Sequence, residues 1–557
     1  MKRPKWRTHL EPRTILRASS ALLFIAVGCS DASDAGGANG EESTGATTGG
    51  GGTTPGTVTS GGTGTTGGAP NDSGPSGHDG TGGASPSADG GGSAGTMGGA
   101  TIDSGRPPPT DAGHPDADTK GLDPEITGIV GAISSTRILS AVDRLAGFTT
   151  RNTCSNNGAT GNAIGAARDW IRGQMQAIGG LTVSLHSFSA LACANFTASV
   201  TDQNVVAVKL GAHPDRVIVI GGHYDSRTID PFDPVNPAPG ANDSGSQTAV
   251  VLEAARVMAA LKFDASLVFA AFAGEEQGLF GSAQFVKDYR QYVTPTARIE
   301  AMLDLDIVGG DRSANDADAL SHFRLFSPGT PREIMIPMGV TDDESPSRGI
   351  MRYIGYWGSQ YVSTISMTPV LREDRPGRGS DHQSFLNQGY PGVHFIETVE
   401  SPNTGMPGSH QHTADDLPTN ITPSYVTRIA QVVVAVGAGL ARAPMPPQLA
   451  RVTGSGAGPW TLTWGAPVSG PVVDHYAIAA RPTTENFYRT RRAVPANQTM
   501  QSVGAADVGL AGAAAFYISI AAVDAAGHES LFAYPEYRCT ATGCSVPADA
   551  LNVTAMQ

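Results

Sequence analysis

The stretch "SLVFAAFAGEEQGLFGSAQFVKDY", Ser266 to Tyr289, reads as a buried strand, a glycine turn and a helix. Its first part is a short apolar run that ends at Gly274, and from Leu279 onward apolar residues return at helical spacing. Between the two stand Glu275 and Glu276. Adjacent carboxylates at the mouth of a buried strand repel each other, so the pair asks for positive charge close by.

The same alternation continues on both sides. "ITGIVGAISSTRILSAVDRL" and "GNAIGAARDWIRGQMQAI" carry apolar residues at helical spacing, and "QNVVAVKLG" and "DRVIVIGGHYDS" are β-branched runs that end in glycine. A helix, "SQTAVVLEAARVMAAL", precedes the opening stretch; the strands "IEAMLDLDIVGG" and "GVHFIET" and the helix "TPSYVTRIAQVVVAVGAGL" follow it. Over residues 122–445 this predicts an α/β domain, a mostly parallel, mixed sheet sandwiched by helices. In such sheets ligands collect at the carboxyl ends of the strands, where loops from several strands converge.

After "PMPPQ" the pattern becomes all-β. "WTLTWGAPVSGPVVDHYAIAARP" and "AAFYISIAAVDAAGHES" alternate apolar and polar residues between turn signals, so residues 446–557 are expected to form a small β-sandwich. It resembles a fibronectin type III domain, with Trp464 and Tyr517 in its core.

The N-terminus reads differently again. Lys2, Arg3, Lys5, Arg7, Arg13 and Arg17 precede the apolar "ALLFIAVG" and Cys29, a pattern of basic start, short apolar core and small residues that describes an export signal over residues 1–29. The run is too short to span a bilayer. "AVGC" resembles a bacterial lipoprotein box, which implies a lipid anchor at Cys29 and a place in the cell envelope or outside the cell. Residues 30–121 are dominated by Gly, Thr and Ser; they lack the apolar side chains that would offset the entropy of ordering, and are expected to be a disordered spacer. Apart from Cys29 there are four cysteines, an even set suited to an oxidising compartment. Of the three possible connectivities, Cys154 with Cys193 and Cys539 with Cys544 is expected. A net charge of −14 argues against a nucleic-acid partner, which would call for a basic surface. Oligomeric state is not legible.

Chemistry gathers at the strand ends: His223 and Asp225 in "GGHYDS", Asp243 in "GANDSGS", Glu275 and Glu276 in "AGEEQG", Asp306 in "LDLDIVG" and His412 in "HQHTADD". Mixed His and carboxylate donors suit a borderline metal such as zinc, whereas calcium and magnesium take oxygen alone. No serine nucleophile competes, because Ser244 and Ser246 do not sit in a GxSxG elbow.

These motifs, with "GRGSDHQSF" and "HTADDL", occur in the order seen in the di-zinc exopeptidase family of secreted bacterial aminopeptidases, glutamate carboxypeptidases and glutaminyl cyclases, and the chain resembles that family over residues 122–445. The resemblance implies a phosphorylase/hydrolase-like zinc peptidase fold and two zinc ions (Zn2+) per chain. It makes His223 and Asp306 ligands of one ion, Glu276 and His412 ligands of the other, and Asp243 the bridge. Glu275 becomes the general base, and Asp225 orients His223. Asp304, two residues before Asp306, should face the same side. Asp381 and His382 are expected to take a substrate-side or supporting role, and Asp415 and Asp416 are expected to brace the turn after His412. Some family members carry a Tyr where Gln411 stands; its amide offers a hydrogen-bond donor for the same task. The implied activity is cleavage of peptide substrates by an aminopeptidase, against a carboxypeptidase, a glutaminyl-cyclase-like acyltransferase, or a surface-binding protein with a vestigial peptidase domain.

Overall fold

The computed structural model describes residues 121–546, apart from 159, 194–197, 329–344, 375–377, 401–409 and 511. The expected export signal, Cys29 and almost all of the expected spacer lie outside the described residues.

One mixed sheet organises residues 182–397. Its strands are β1 (Thr182–Cys193), β2 (Ala198–Lys209), β3 (His213–His223), β4 (Ala265–Phe272), β5 (Arg298–Leu305), β6 (His322–Phe326), β7 (Ser366–Val370) and β8 (Gly392–Glu397), in the order β1-β2-β4-β3-β5-β8-β6-β7. The central pairs β4·β3, β3·β5 and β5·β8 are parallel, and antiparallel pairs flank them.

Period-two alternation along β3 sends its residues to two different cores. Ile218 and Ile220 face the helices Gln247–Met258 and Pro423–Arg442, whereas Val217 and Val219 meet Phe272, Phe285 and Tyr289 on the other face. Both faces are covered, which is why every residue of β4 is buried and its sequence reads as a continuous apolar run. Each fully buried Val or Ile contributes about 1.5 to 3 kcal/mol of transfer free energy. The helix Pro423–Arg442 is long and apolar enough to cross a membrane, but most of it is buried as a core helix of this domain.

Two glycines set the spacing at the strand ends. A Cβ at Gly222 would stand 2.4 Å from the carbonyl oxygen of Leu305, so only glycine lets the end of β3 lie this close to the end of β5. Gly274 has φ +73°, which turns the chain sharply as it leaves β4.

Residues 448–545 form two antiparallel sheets, three-stranded and five-stranded, around one core that includes Trp460, Leu462, Trp464, Tyr476, Ile518 and Ile520. Trp464 lies in this core as expected, edge-on to Tyr476. Tyr517 does not. It is buried on the opposite face of its strand under the guanidinium of Arg481, because Phe516 and Ile518 on either side of it point into the core.

The β-region is fastened to the α/β domain by polar contacts. Glu536 accepts from Arg481 (2.8 Å) and Tyr488 (2.5 Å) and pairs with Arg352 of the α/β domain (3.3 Å). His528 Nε2 lies 2.7 Å from Asp123, the N-cap of the first described helix, and Arg491 stacks 3.4 Å over the ring of Tyr356. Both expected disulfides are present, Cys154–Cys193 and Cys539–Cys544.

Candidate metal centre

The neighbouring strands β4, β3 and β5 end side by side, and each delivers acids or a histidine to one place. His223 is the last residue of β3, Glu275 and Glu276 follow the Gly274 turn, and Asp306 directly follows β5. Asp243 comes from the irregular turn Ala241–Ser246 ahead of a helix. His412 comes from the loop before the helix Pro423–Arg442, at φ +60°.

Two donor groups result, His223–Asp243–Asp306 and Asp243–Glu276–His412, each with its ligand atoms within 4.8 Å of one another. Asp243 is common to both. One of its oxygens, Oδ1, lies 3.5 Å from His223 Nε2, and the other, Oδ2, lies 3.1 Å from His412 Nε2. His223 Nε2 is also 3.1 Å from Asp306 Oδ1, and His412 Nε2 is 3.4 Å from Glu276 Oε2. Glu275 belongs to neither group, although its carboxylate comes within 4.0 Å of His223.

Electrostatics describe a site short of positive charge. Burial, with Glu276 and Asp306 nearby, pushes the Glu275 carboxyl well above its usual range despite His223. Burial also raises Asp306, to about 6, against the pull of His223. Burial opposes charge on His412 as well, yet Glu276 and Asp243 raise it to about 9. Protons on the histidines therefore stand where metal cations would do the same work. Zinc fits on two further counts. The donors mix imidazole with carboxylate, and the buried atoms Asp243 Oδ1 and Glu276 Oε1 have no hydrogen-bond partner among the described residues. Zinc would be held by His223, Asp243 and Asp306 on one side and by Asp243, Glu276 and His412 on the other.

Around these residues lies a layer of braces. The carboxylate of Asp225 accepts the peptide N–H groups of Glu275 (3.3 Å) and Glu276 (3.2 Å), and Thr153 Oγ1 donates to it (3.3 Å). His223 Nδ1 faces the backbone carbonyl of Asp225 at 3.1 Å and its carboxylate at 3.5 Å. Asp416 spans the peptide N–H groups of Asn242 and Asp243, whereas Asp415 is exposed.

Asp304 departs from expectation. It accepts from the backbone N–H of His382 and contacts its Nδ1, both at 2.9 Å, and His382 stacks on His394. Asp306, one residue past the end of β5, is the acid that meets His223 Nε2 and the Gln247 amide, both at 3.1 Å. His382 thus belongs to a brace under β5, and Asp381 is fully buried with its charge near Asp304 and His223. The Gln411 amide, the donor expected before His412, donates one N–H to Asp243 Oδ2 at 2.9 Å.

Three polar residues here escape a reading based on strand ends. Arg151 is completely buried and donates to the carbonyls of Leu145, Tyr224, Pro239 and Gly240, beneath the acids. Gln247 donates to Asp306 Oδ1 at 3.1 Å, and Arg227 donates to Glu276 Oε2 at 2.6 Å. The only sequence signal for Arg227 is its place two residues after Asp225 in "HYDSR".

Residues 204–437 match the model of peptidase family M28, a span that contains every residue of both donor groups. A probable zinc metalloprotease of Pyricularia oryzae is 34% identical over 66% of this chain and 76% of its own length. The chain belongs to peptidase family M28. A second probable zinc metalloprotease, from Pyrenophora tritici-repentis, is 33% identical over 65% of this chain and 87% of that protein. Among solved structures, an aminopeptidase from Aneurinibacillus sp. strain AM-1 is 18% identical over 57% of this chain and 96% of its own, with a TM-score of 0.40. This M28 zinc metallopeptidase therefore matches fungal proteins over most of their length, whereas its motifs resemble those of secreted bacterial aminopeptidases.

Proposed function

We propose that this metallopeptidase is a two-zinc exopeptidase, an aminopeptidase, in which Glu275 is the general base. One observation carries the reading: two donor groups share Asp243, while Glu275 stands beside them and outside both. Bound zinc supplies Lewis acidity, polarising the scissile carbonyl and making water nucleophilic near neutral pH.

The protein's own residues do the rest. Glu275 takes a proton from the attacking water and returns it to the departing amine. Asp225, gripping the peptide N–H groups of Glu275 and Glu276, keeps the two side chains in their separate roles.

Charge favours an amine end over a carboxylate end. Glu275, outside both donor groups, leaves a carboxylate beside the centre to which a substrate ammonium is complementary. Arg378, one cation near the centre that could attract a terminal carboxylate, is paired with Glu400. The substrates are peptides with a free N-terminus. The chain is exported and held at the cell envelope through Cys29, its β-region being a fibronectin type III-like appendage.

The test is zinc content of the full-length protein alongside hydrolysis of N-terminally free and blocked peptides. Two zinc ions per chain, with cleavage of free peptides alone, is the expected result. One zinc with cyclisation of N-terminal glutamine would move the assignment to a cyclase. Absence of all turnover in zinc-replete protein would leave a binding protein.

A further inference from the structure

We propose that Arg227 is a positioning residue for Glu276: it fixes the carboxylate in place against the donor group of His412 and Asp243, and it welds the loop 227–240 to the metal centre. The inference rests on Glu276 being a metal ligand, as argued above.

Glu276 is held from three directions. Its peptide N–H is on Asp225 (3.2 Å), its Oε2 accepts from Arg227 Nε (2.6 Å), and the neighbouring Gln277 donates to the carbonyl of Pro231 (2.9 Å). Its Oε1 is buried and has no hydrogen-bond partner among the described residues. Oε2 also lies 3.4 Å from His412 Nε2, so the guanidinium sets where the carboxylate meets the donor group. The remaining donors of Arg227 fix the loop, because Nη1 contacts the carbonyls of Thr228 and Ile229, both at 3.3 Å. Asn152 donates to Pro231 O (2.9 Å), and Ala238 N donates to Thr149 O (2.9 Å), so the loop is tied at both ends to the chain beneath it.

A guanidinium beside a metal ligand has two opposite effects. By charge alone it repels a divalent cation, so removing it would tighten zinc binding. By geometry it freezes a flexible side chain in the ligating orientation, so removing it would weaken binding. The single Nε contact to Oε2, with Nη1 tied to two loop carbonyls, favours geometry. The guanidinium's own charge is already matched by the carboxylate it touches.

The experiment measures zinc binding to the full chain in competition with a chelator, for wild type, Arg227→Gln, Arg227→Lys and His412→Ala. Arg227→Gln is expected to weaken one of two zinc equivalents about 10- to 100-fold and leave the other within about threefold. Lysine should recover part of the loss, since an ammonium can reach the carboxylate but cannot also span both carbonyls. Combined with His412→Ala, Arg227→Gln should change nothing further, because the affected site is already lost. Equal unfolding midpoints in excess chelator would show that the variants fold alike. Unchanged or tighter zinc in Arg227→Gln, with two ions bound by wild type, overturns this proposal alone. Fewer than two ions in wild type overturns the two-metal reading and the proposal with it.

Discussion

Asp416 accepts the peptide N–H of Asp243 at 3.0 Å, and its second oxygen takes the N–H of Asn242 at 2.9 Å. A carboxylate four residues after His412 therefore holds the backbone of the acid common to both donor groups. Asp416→Ala strands two buried N–H groups at about 1 to 3 kcal/mol each. The expected outcome in denaturant titrations is a loss of about 2 to 5 kcal/mol, together with weaker zinc retention. Asp416→Asn keeps one acceptor oxygen and should fall between.

Glu275→Gln removes the proton acceptor and preserves the shape. Turnover of a free peptide should drop by about 10²- to 10⁴-fold while zinc content stays at the wild-type value. Equal turnover with equal zinc would reassign the base.

Metal removal should act on stability as well as on activity. Without cations, the carboxylates of Asp243, Glu276 and Asp306 face one another with protonated histidines as their main relief. Zinc at about a thousand times its dissociation constant contributes about 4 kcal/mol to the folded state. Chelation should lower the thermal midpoint and abolish hydrolysis, and added zinc should restore both.

The junction between the α/β domain and the β-region should be acid-sensitive through Glu536. Burial works against its charge, but Arg352 and Arg481 overcome this and hold its carboxyl at about 2, below the usual value of 4.5. Because the folded value is the lower one, its contribution, on the order of 3 kcal/mol, is complete above pH 4.5 and vanishes as pH falls toward 2. Glu536→Gln should cost stability at pH 7, and its deficit relative to wild type should shrink across that window in denaturation measured from pH 7 to 3. A deficit independent of pH would mean that packing, not charge, holds the junction.

Much of the peptidase is legible in one dimension. Short apolar runs ending in glycine mark strands that are buried on both faces, and recurring His, Asp and Glu after those runs mark the place where parallel strand ends meet. The sheet, both disulfides and the identity of the acids and histidines at the centre follow from spacing and resemblance. Asp304 and Tyr517 show where spacing misleads: Asp304 is taken up by His382, and the strand that carries Tyr517 is buried on both faces.

What the sequence alone determined is the set of elements and the chemistry carried at their ends, because periodicity and turn residues are local properties of the chain. Only the tertiary structure decided which groups hold that chemistry in place. Arg151, Arg227 and Gln247 act through hydrogen bonds between segments that meet only once the sheet has closed its register, and no local pattern encodes such a meeting.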